Sequence, residues 1–355
     1  MTGLAGGPDG AAGSRPDAEG ADGAARSDPV GTRAAPGLPS GVLVMAHGTP
    51  AGQDELAAFY TRIRRGRPPS EEQLADLRAR YDAIGGTSPL TERTAAQVAG
   101  LAAALEARSP GRYLVRFGAK HTAPFIEDAA LALAEAGVDR VIGLVLTPHR
   151  ASLGSDEYLA RAAAALSDAP GNPAFVGVHE WFGTPGFAEL IARRVRSALR
   201  RLPPGLPLAR ATVLFTAHSL PVRVIEAGDP YAAQVAASAE AVAAAVGLAE
   251  DGVGWDVAWQ SAGRTPEPWI GPDLLEVLRQ RGADAPGGGV VVCPIGFVAD
   301  HLEVLYDVDV EARHVAEAVG LHFARTESLN DDPAFSALLA GVVEAADART
   351  GALHG

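Results

Sequence analysis

From Gly41 onward, short apolar runs alternate with longer stretches in which apolar residues recur every three to four positions. The first run, Gly41-Val-Leu-Val-Met-Ala-His47, is uniformly apolar until its last residue. Such a run, bounded by Gly and Pro, predicts a strand buried on both faces, as parallel sheets require. Further strands are predicted at 113–119, 140–147, 174–179, 211–217, 255–260 and 290–297, with a short one at 321–325. Helical periodicity fills the intervals, near 53–64, 71–83, 91–108, 124–136, 155–168, 185–201, 231–246, 272–281, 300–319 and 333–347. Strands that alternate with helices predict an α/β fold, with parallel sheets flanked by helices on both faces.

The pattern repeats itself. Val42-Leu-Val-Met-Ala-His47-Gly-Thr-Pro50 and Val213-Leu-Phe-Thr-Ala-His218-Ser-Leu-Pro221 agree at five of nine positions, including the Ala-His pair and the closing proline. Both segments are a strand followed by a Pro-containing turn, so the chain reads as two related halves. In doubly wound sheets ligands bind beyond the carboxyl ends of the strands. His47 and His218 are therefore expected at the mouths of two sheets, one imidazole on each wall of a shared cleft.

Residues 1–40 are of another kind, mostly Gly, Ala, Pro and Asp with scattered Arg. With almost nothing to bury, they cannot offset their ordering entropy and are expected to be a disordered tail. They resemble neither a secretory signal, which needs an apolar stretch, nor a transit peptide, which is poor in acids.

Composition removes several classes. With 30 Lys and Arg against 43 Asp and Glu, the net charge is −13, which opposes general nucleic-acid binding. Cys293 is the one cysteine, so a disulfide framework or an all-cysteine metal site within one chain is excluded, and a reducing cytoplasm is compatible. No apolar run reaches the ~18 residues of a membrane span. No Gly-x-Gly-x-x-Gly or Walker sequence follows a strand, and Gly287-Gly-Gly289 precedes one, so a nucleotide enzyme is poorly supported.

Three clusters carry candidate chemistry. Glu303, Asp307 and Glu311 recur every four residues after a strand-to-helix turn, which on a helix places them in one row. The row reads either as a solvated acidic face, with Asp300 and Glu303 as a capping pair, or as a path for a hard cation. His218 belongs to the same half; one imidazole and one carboxylate would make a sparse, open metal site that binds weakly enough to hand its ion onward. Arginines crowd Thr61-Arg-Ile-Arg-Arg-Gly-Arg-Pro-Pro69 and recur at Arg78 and Arg80, which either balance charge or recognise carboxylates and phosphates. Arg80-Tyr81-Asp-Ala-Ile-Gly-Gly-Thr-Ser88 leads into a Gly-Gly turn suited to a binding lip.

Taken together, Phe215-Thr-Ala-His218-Ser-Leu-Pro221, Trp259-Gln-Ser-Ala-Gly-Arg-Thr-Pro-Glu-Pro-Trp-Ile-Gly-Pro272, Gly296-Phe-Val-Ala-Asp-His-Leu-Glu303-Val-Leu-Tyr-Asp307, Asp229-Pro-Tyr231 and Tyr81-Asp-Ala-Ile-Gly-Gly-Thr-Ser88-Pro-Leu90 resemble the ferrochelatases. These enzymes insert ferrous iron into a porphyrin. The resemblance runs from about Val42 to the last helix and is nearest to the Gram-positive branch, whose substrate is coproporphyrin III. It implies two Rossmann-like, chelatase-type domains related by pseudo-symmetry: 41–176 with 322–355, and 177–321. By position it implies that His218 and Glu303 bind iron, with His218 also taking a pyrrole proton. Asp307 and Glu311 would bind or relay hydrated metal. Arg64, Arg80, Tyr81, Ser88 and Tyr158 would contact the macrocycle or its propionates, with Arg65 as a neighbour.

The resemblance further implies a cytoplasmic, monomeric lyase of haem biosynthesis with iron as substrate. It implies no tightly bound cofactor, no stable membrane insertion and no nucleic acid; other haem-pathway enzymes are possible partners. The cysteine set of some cluster-bearing relatives is missing, so no iron–sulfur cluster is expected. Much of the branch carries a tyrosine where this chain has His47, so an imidazole would face the porphyrin from the side opposite His218. Two further readings stay open: the same reaction on protoporphyrin IX, and a non-catalytic porphyrin carrier. A chelatase for another tetrapyrrole is disfavoured by the 259–272 segment.

Overall fold

The computed structural model describes residues 39–263 and 265–351. They form two α/β domains, each built on a four-stranded parallel sheet flanked by helices. The first sheet contains β1 (Ser40–Ala46), β2 (Tyr113–Ala119), β3 (Arg140–Val145) and β4 (Ala174–Val178), in the order β2-β1-β3-β4. The second contains β5 (Ala211–His218), β6 (Gly254–Gln260), β7 (Gly289–Cys293) and β8 (His322–Arg325), in the order β6-β5-β7-β8. The two orders are the same permutation, and β1 and β5, the strands of the internal echo, hold the same interior place. Every residue of β1 and β7 is buried, which explains their lack of polar alternation.

Helices cover both faces of each sheet and complete the cores. On the first sheet, Leu43 and Met45 pack with Ile126, Leu133, Leu159 and Leu166 from the helices Ile126–Glu135 and Ser155–Ser167. On the second, Leu214, Val290 and Val292 pack with Leu274 and Leu278 of the helix Leu274–Asp284 and with Val308 and Ala312. Among the described residues, no helix is long and apolar enough to cross a membrane.

Several expectations are corrected. The tail expected at 1–40 lies outside the described residues except at its end, where Ser40 is buried and opens β1. The strand expected at 290–297 stops at Cys293, because Pro294 has no N–H to offer and the chain turns across the end of β5. There Gly296 N–H donates to the Thr216 carbonyl at 3.1 Å. A Cβ at Gly296 would stand 2.7 Å from that of Ala217, so only glycine permits the crossing. The continuous helix expected over 300–319 is three pieces: an α turn at Leu302–Leu305, a π turn at Asp307–Ala312 and an α-helix at Arg313–Ala318. The π turn is marked by Glu311 N–H donating to the Tyr306 carbonyl at 2.9 Å, five residues back. The capping pair considered for Asp300 and Glu303 does not form, since the Asp300 carboxylate accepts from Arg325, Ser328 and Asn330. The division at residue 322 also shifts: β8 pairs with β7 from Gly289↔His322 to Val292↔Arg325, so this strand belongs to the second sheet.

The helix Pro333–Gly351 returns to the first domain, against the helix Leu90–Arg108 and strands β3 and β4. Its anchor is Asp347, whose carboxylate accepts from Arg112 Nη2 (2.5 Å), Arg140 Nη1 (2.8 Å), Tyr113 Oη (3.1 Å) and Ser40 Oγ (3.3 Å). Burial opposes its charge, but the Arg112 and Arg140 bonds prevail and hold the carboxyl below its usual range. A depressed carboxyl contributes stability above its unfolded pKa and loses it as pH falls through the folded value. Asp347→Ala is therefore expected to cost about 3 kcal/mol at pH 7, the low end for breaking a buried pair because Arg112 stays half in water. Urea unfolding should show the gap between variant and parent narrowing steadily below pH 4.

Candidate active site

Because all strands in both sheets are parallel, their carboxyl ends open on one side each, and both sets of ends line one cleft of about 740 Å³. Its walls carry His47, Lys120 and His121 from the ends of β1 and β2, and His218 from the end of β5. Phe297, His301, Glu303 and Asp307 come from the segment that follows β7.

Three of these imidazoles are oriented in the same way. Nδ1 of His47 bonds the Gly48 carbonyl (3.1 Å), Nδ1 of His218 the Ser219 carbonyl (2.5 Å) and Nδ1 of His301 the Ala299 carbonyl (3.0 Å). A carbonyl only accepts, so the proton sits on each Nδ1. In the neutral ring Nε2 then keeps its lone pair for a proton or a metal. The internal echo thus extends to chemistry, since His47 and His218 each bond the carbonyl of the next residue.

Glu303 stands between two imidazoles. Its Oε1 is 3.8 Å from His218 Nε2 and its Oε2 is 3.8 Å from His301 Nε2. That is too long for a direct hydrogen bond. The gap leaves one imidazole nitrogen and one carboxylate oxygen free to face the same space, so His218 and Glu303 are the pair that would hold a divalent ion here. Burial works against the Glu303 charge, but His218, His301 and His47 outweigh it and hold the carboxyl down at about 2. In return Glu303 raises His301 above the ordinary imidazole value, although burial alone would lower it. Asp307 behaves oppositely: burial and the Glu303 charge push it up to about 6, against the Ser261 hydroxyl and Arg80. Two carboxyls four residues apart thus titrate on opposite sides of their normal range, the separation that assigns distinct acid and base roles.

On the opposite wall, burial lowers His47, and burial together with His47 and Lys120 takes His121 to about 3. The two rings lie 4.6 Å apart, with Phe59 edge-on to both. This wall sets two imidazoles and the Phe59 ring beside the Lys120 ammonium, whereas the other is anionic at Glu303.

Of the other residues singled out from the sequence, Arg80, Tyr81, Ser88 and Tyr158 line the cleft. Arg80 approaches Asp307 at 3.4 Å and Asp76 at 3.2 Å, over the ring of Tyr306. Tyr81 Oη meets Thr49 Oγ1 at 3.0 Å, and Ser88 Oγ accepts from Leu90 N–H at 3.3 Å. Tyr158 is buried beneath Lys120. Arg64 and Glu311 do not line the cleft. Arg64 donates to Gln73 Oε1 at 2.6 Å beside Tyr60, two residues that do line the cleft, while Arg62 and Arg65 occupy the rim. Glu311 continues the row beyond Asp307, as the charge it exerts on Asp307 attests. Among the described residues, no three His, Cys, Asp or Glu side chains converge to hold a metal. Sequence reasoning gave no role to His121, Lys120, His301 or Ser261. The rule that placed His47 beyond β1 would also have placed Lys120 and His121 beyond β2.

A cleft at the joined carboxyl ends of two like sheets is the architecture of chelatases, and comparisons with known proteins agree. The fold is similar to that of sirohydrochlorin chelatase SirB from Bacillus subtilis subspecies spizizenii in complex with cobalt. The TM-score is 0.51 at 11% identity, covering 87% of this chain and 95% of that one. SirB from Bacillus subtilis with Fe3+ gives a TM-score of 0.53 at 13% identity, covering 89% and 98%. Residues 39–347 match the ferrochelatase family. The coproporphyrin III ferrochelatase of Geobacillus kaustophilus (strain HTA426) is 42% identical over 305 residues, 86% of this chain and 95% of that protein. The ferrochelatase of Herpetosiphon aurantiacus is 41% identical over 302 residues, 85% and 97%. The chain belongs to the ferrochelatase family, whose reaction is metal insertion into a porphyrin.

The electrostatics of Glu303 can be checked without turnover. In Glu303→Gln the His301 ring loses the charge that raises it, so its NMR titration midpoint is expected to move to lower pH. An unmoved midpoint would show that Glu303 is not its counter-charge.

Proposed function

We propose that this chain inserts ferrous iron into coproporphyrin III, giving iron coproporphyrin III for haem synthesis. The observation that carries the reading is the His218–Glu303 pair on one wall of a cleft whose other wall presents His47. A flat macrocycle between the walls would have a metal donor set below it and the His47 imidazole above.

The chemistry follows from these groups. A free porphyrin holds two N–H protons, and its planar ring resists an incoming ion. Bending it requires ~1–5 kcal/mol, drawn from binding elsewhere on the ring. Apolar and aromatic side chains bury the faces, while Arg62, Arg65 and Arg80 offer charge-assisted bonds to propionates, each worth ~1.5–3 kcal/mol before solvent screening. Four propionates use such a rim more fully than two, which favours coproporphyrin over protoporphyrin. The coproporphyrin III ferrochelatases at about 40% identity support the same choice. His218 and Glu303 take iron from water and release it readily, because two ligands hold it weakly. His218 Nε2 accepts a pyrrole proton, and Asp307, protonating near pH 6, passes protons outward towards Glu311. Arg64, held on Gln73 and Tyr60 at the edge of the cleft, would join propionate binding by giving up its Gln73 bond.

Anaerobic incubation with ferrous iron and each porphyrin tests this directly. Turnover should be faster with coproporphyrin III, and His218→Ala and Glu303→Ala should each lose at least about 100-fold, the usual worth of a general base. Full turnover by both variants would overturn the assignment; faster turnover of protoporphyrin IX would transfer it to that substrate.

His47 is proposed to ligate the iron of the product from the far side, in place of the tyrosine common in this branch. His47→Ala should change the visible absorption spectrum of the product complex, and an unchanged spectrum would refute the ligation.

A further inference from the structure

Gln260 and Ser261, at the end of β6, touch the acidic segment at both Glu303 and Asp307 without presenting a charge of their own. Gln260 is buried and lies opposite His218 in the β5–β6 ladder. Its Oε1 accepts from Thr216 Oγ1 at 2.7 Å, and its Nε2 donates to the main-chain carbonyl of Glu303 at 3.0 Å. Its own carbonyl accepts from Ser219 N–H at 2.8 Å, immediately after His218. The next residue, Ser261, sits at φ 59°, a left-handed conformation that serine rarely adopts. In that conformation its hydroxyl donates to Asp307 Oδ2. Strained backbone persists where the surrounding contacts over-determine it, and such places concentrate at functional sites.

We propose that Gln260–Ser261 is the positioning element of the metal path: the Gln260 amide fixes Glu303 through its carbonyl, and the Ser261 hydroxyl fixes the Asp307 carboxylate. The separation of His218, Glu303 and Asp307 is then set by β6 and not by the α-to-π segment that carries the two acids. That segment could not set it alone. Its α turn is only Leu302–Leu305, and the π turn that follows interrupts the regular ladder between Glu303 and Glu311. Gln260 supplies what a short turn lacks, a fixed donor from a sheet. This inference rests on the proposed metal-insertion role of His218, Glu303 and Asp307.

The test separates positioning from folding. Ser261→Gly tolerates the left-handed φ without strain but has no hydroxyl. Ser261→Asn also tolerates that φ and returns a side-chain donor. For the full chain, Ser261→Gly is expected to melt at or above the parent temperature, yet to lose kcat about tenfold or more while KM for porphyrin stays within twofold. Ser261→Asn should regain a substantial part of kcat. A second arm needs no turnover: cobalt(II) alone is titrated into the chain, and its visible absorption bands report the geometry of its ligands. Ser261→Gly should weaken cobalt binding or alter those bands. Gln260→Glu, which puts an oxygen where Glu303 needs a donor, should do the same if it folds. Parent-like kcat and cobalt spectrum in Ser261→Gly would overturn the proposal. If the parent binds cobalt in a Ser261-dependent way but inserts no metal, positioning stands and the function proposed above fails.

Discussion

Parallel strands all end on the same side, and that constraint governs this molecule. Where a strand leaves the sheet the ladder no longer claims the following carbonyl, and a side chain at the strand end can bond it. His47 and His218 both do so. Their Nδ1 protons are committed to the main chain, so their Nε2 atoms face the cleft. The arrangement needs no third residue to orient the ring, which suits a site that must keep its chemistry sparse.

The two walls are electrostatic opposites built from similar parts. On one, burial keeps His47 and His121 low and neutral. On the other, Glu303 remains ionised because imidazoles surround it, and its charge in turn displaces both His301 and Asp307 upward. The anionic wall is the one that would attract a cation, and it carries both the depressed Glu303 and the raised Asp307. Selectivity among divalent ions is not written into such a donor pair, because imidazole and carboxylate accept several of them.

Much of this was legible early. Uniformly apolar β1 and the β5 strand ending in His218 announced themselves as buried strands. Their shared Ala-His-x-x-Pro sequence marked them as counterparts, and the sheets do give them the same interior place. The separation of Arg62, Arg64 and Arg65 was not legible. The three lie within four residues, and which of them faces the rim depends on where the helix Leu56–Ile63 ends and on the positive φ of Arg65. The row of Glu303, Asp307 and Glu311 was visible as a spacing of four, but spacing alone cannot distinguish an α from a π turn. His301 and Ser261 stood inside recognised segments with no role, because their partners come from distant parts of the chain or only from the turn itself.

The sequence by itself determined the class of fold, the duplication and the two strand ends where chemistry would gather. These rest on local periodicity and on the geometry common to all parallel sheets. Only the tertiary structure decided that β8 belongs to the second sheet and that Asp300 is held by Arg325, Ser328 and Asn330. It alone brought Ser261 to Asp307 and set Glu303 between two imidazoles. Those outcomes depend on hydrogen bonds and charge pairs between side chains that meet only when the chain folds, and no hydrophobic pattern encodes which of them will meet.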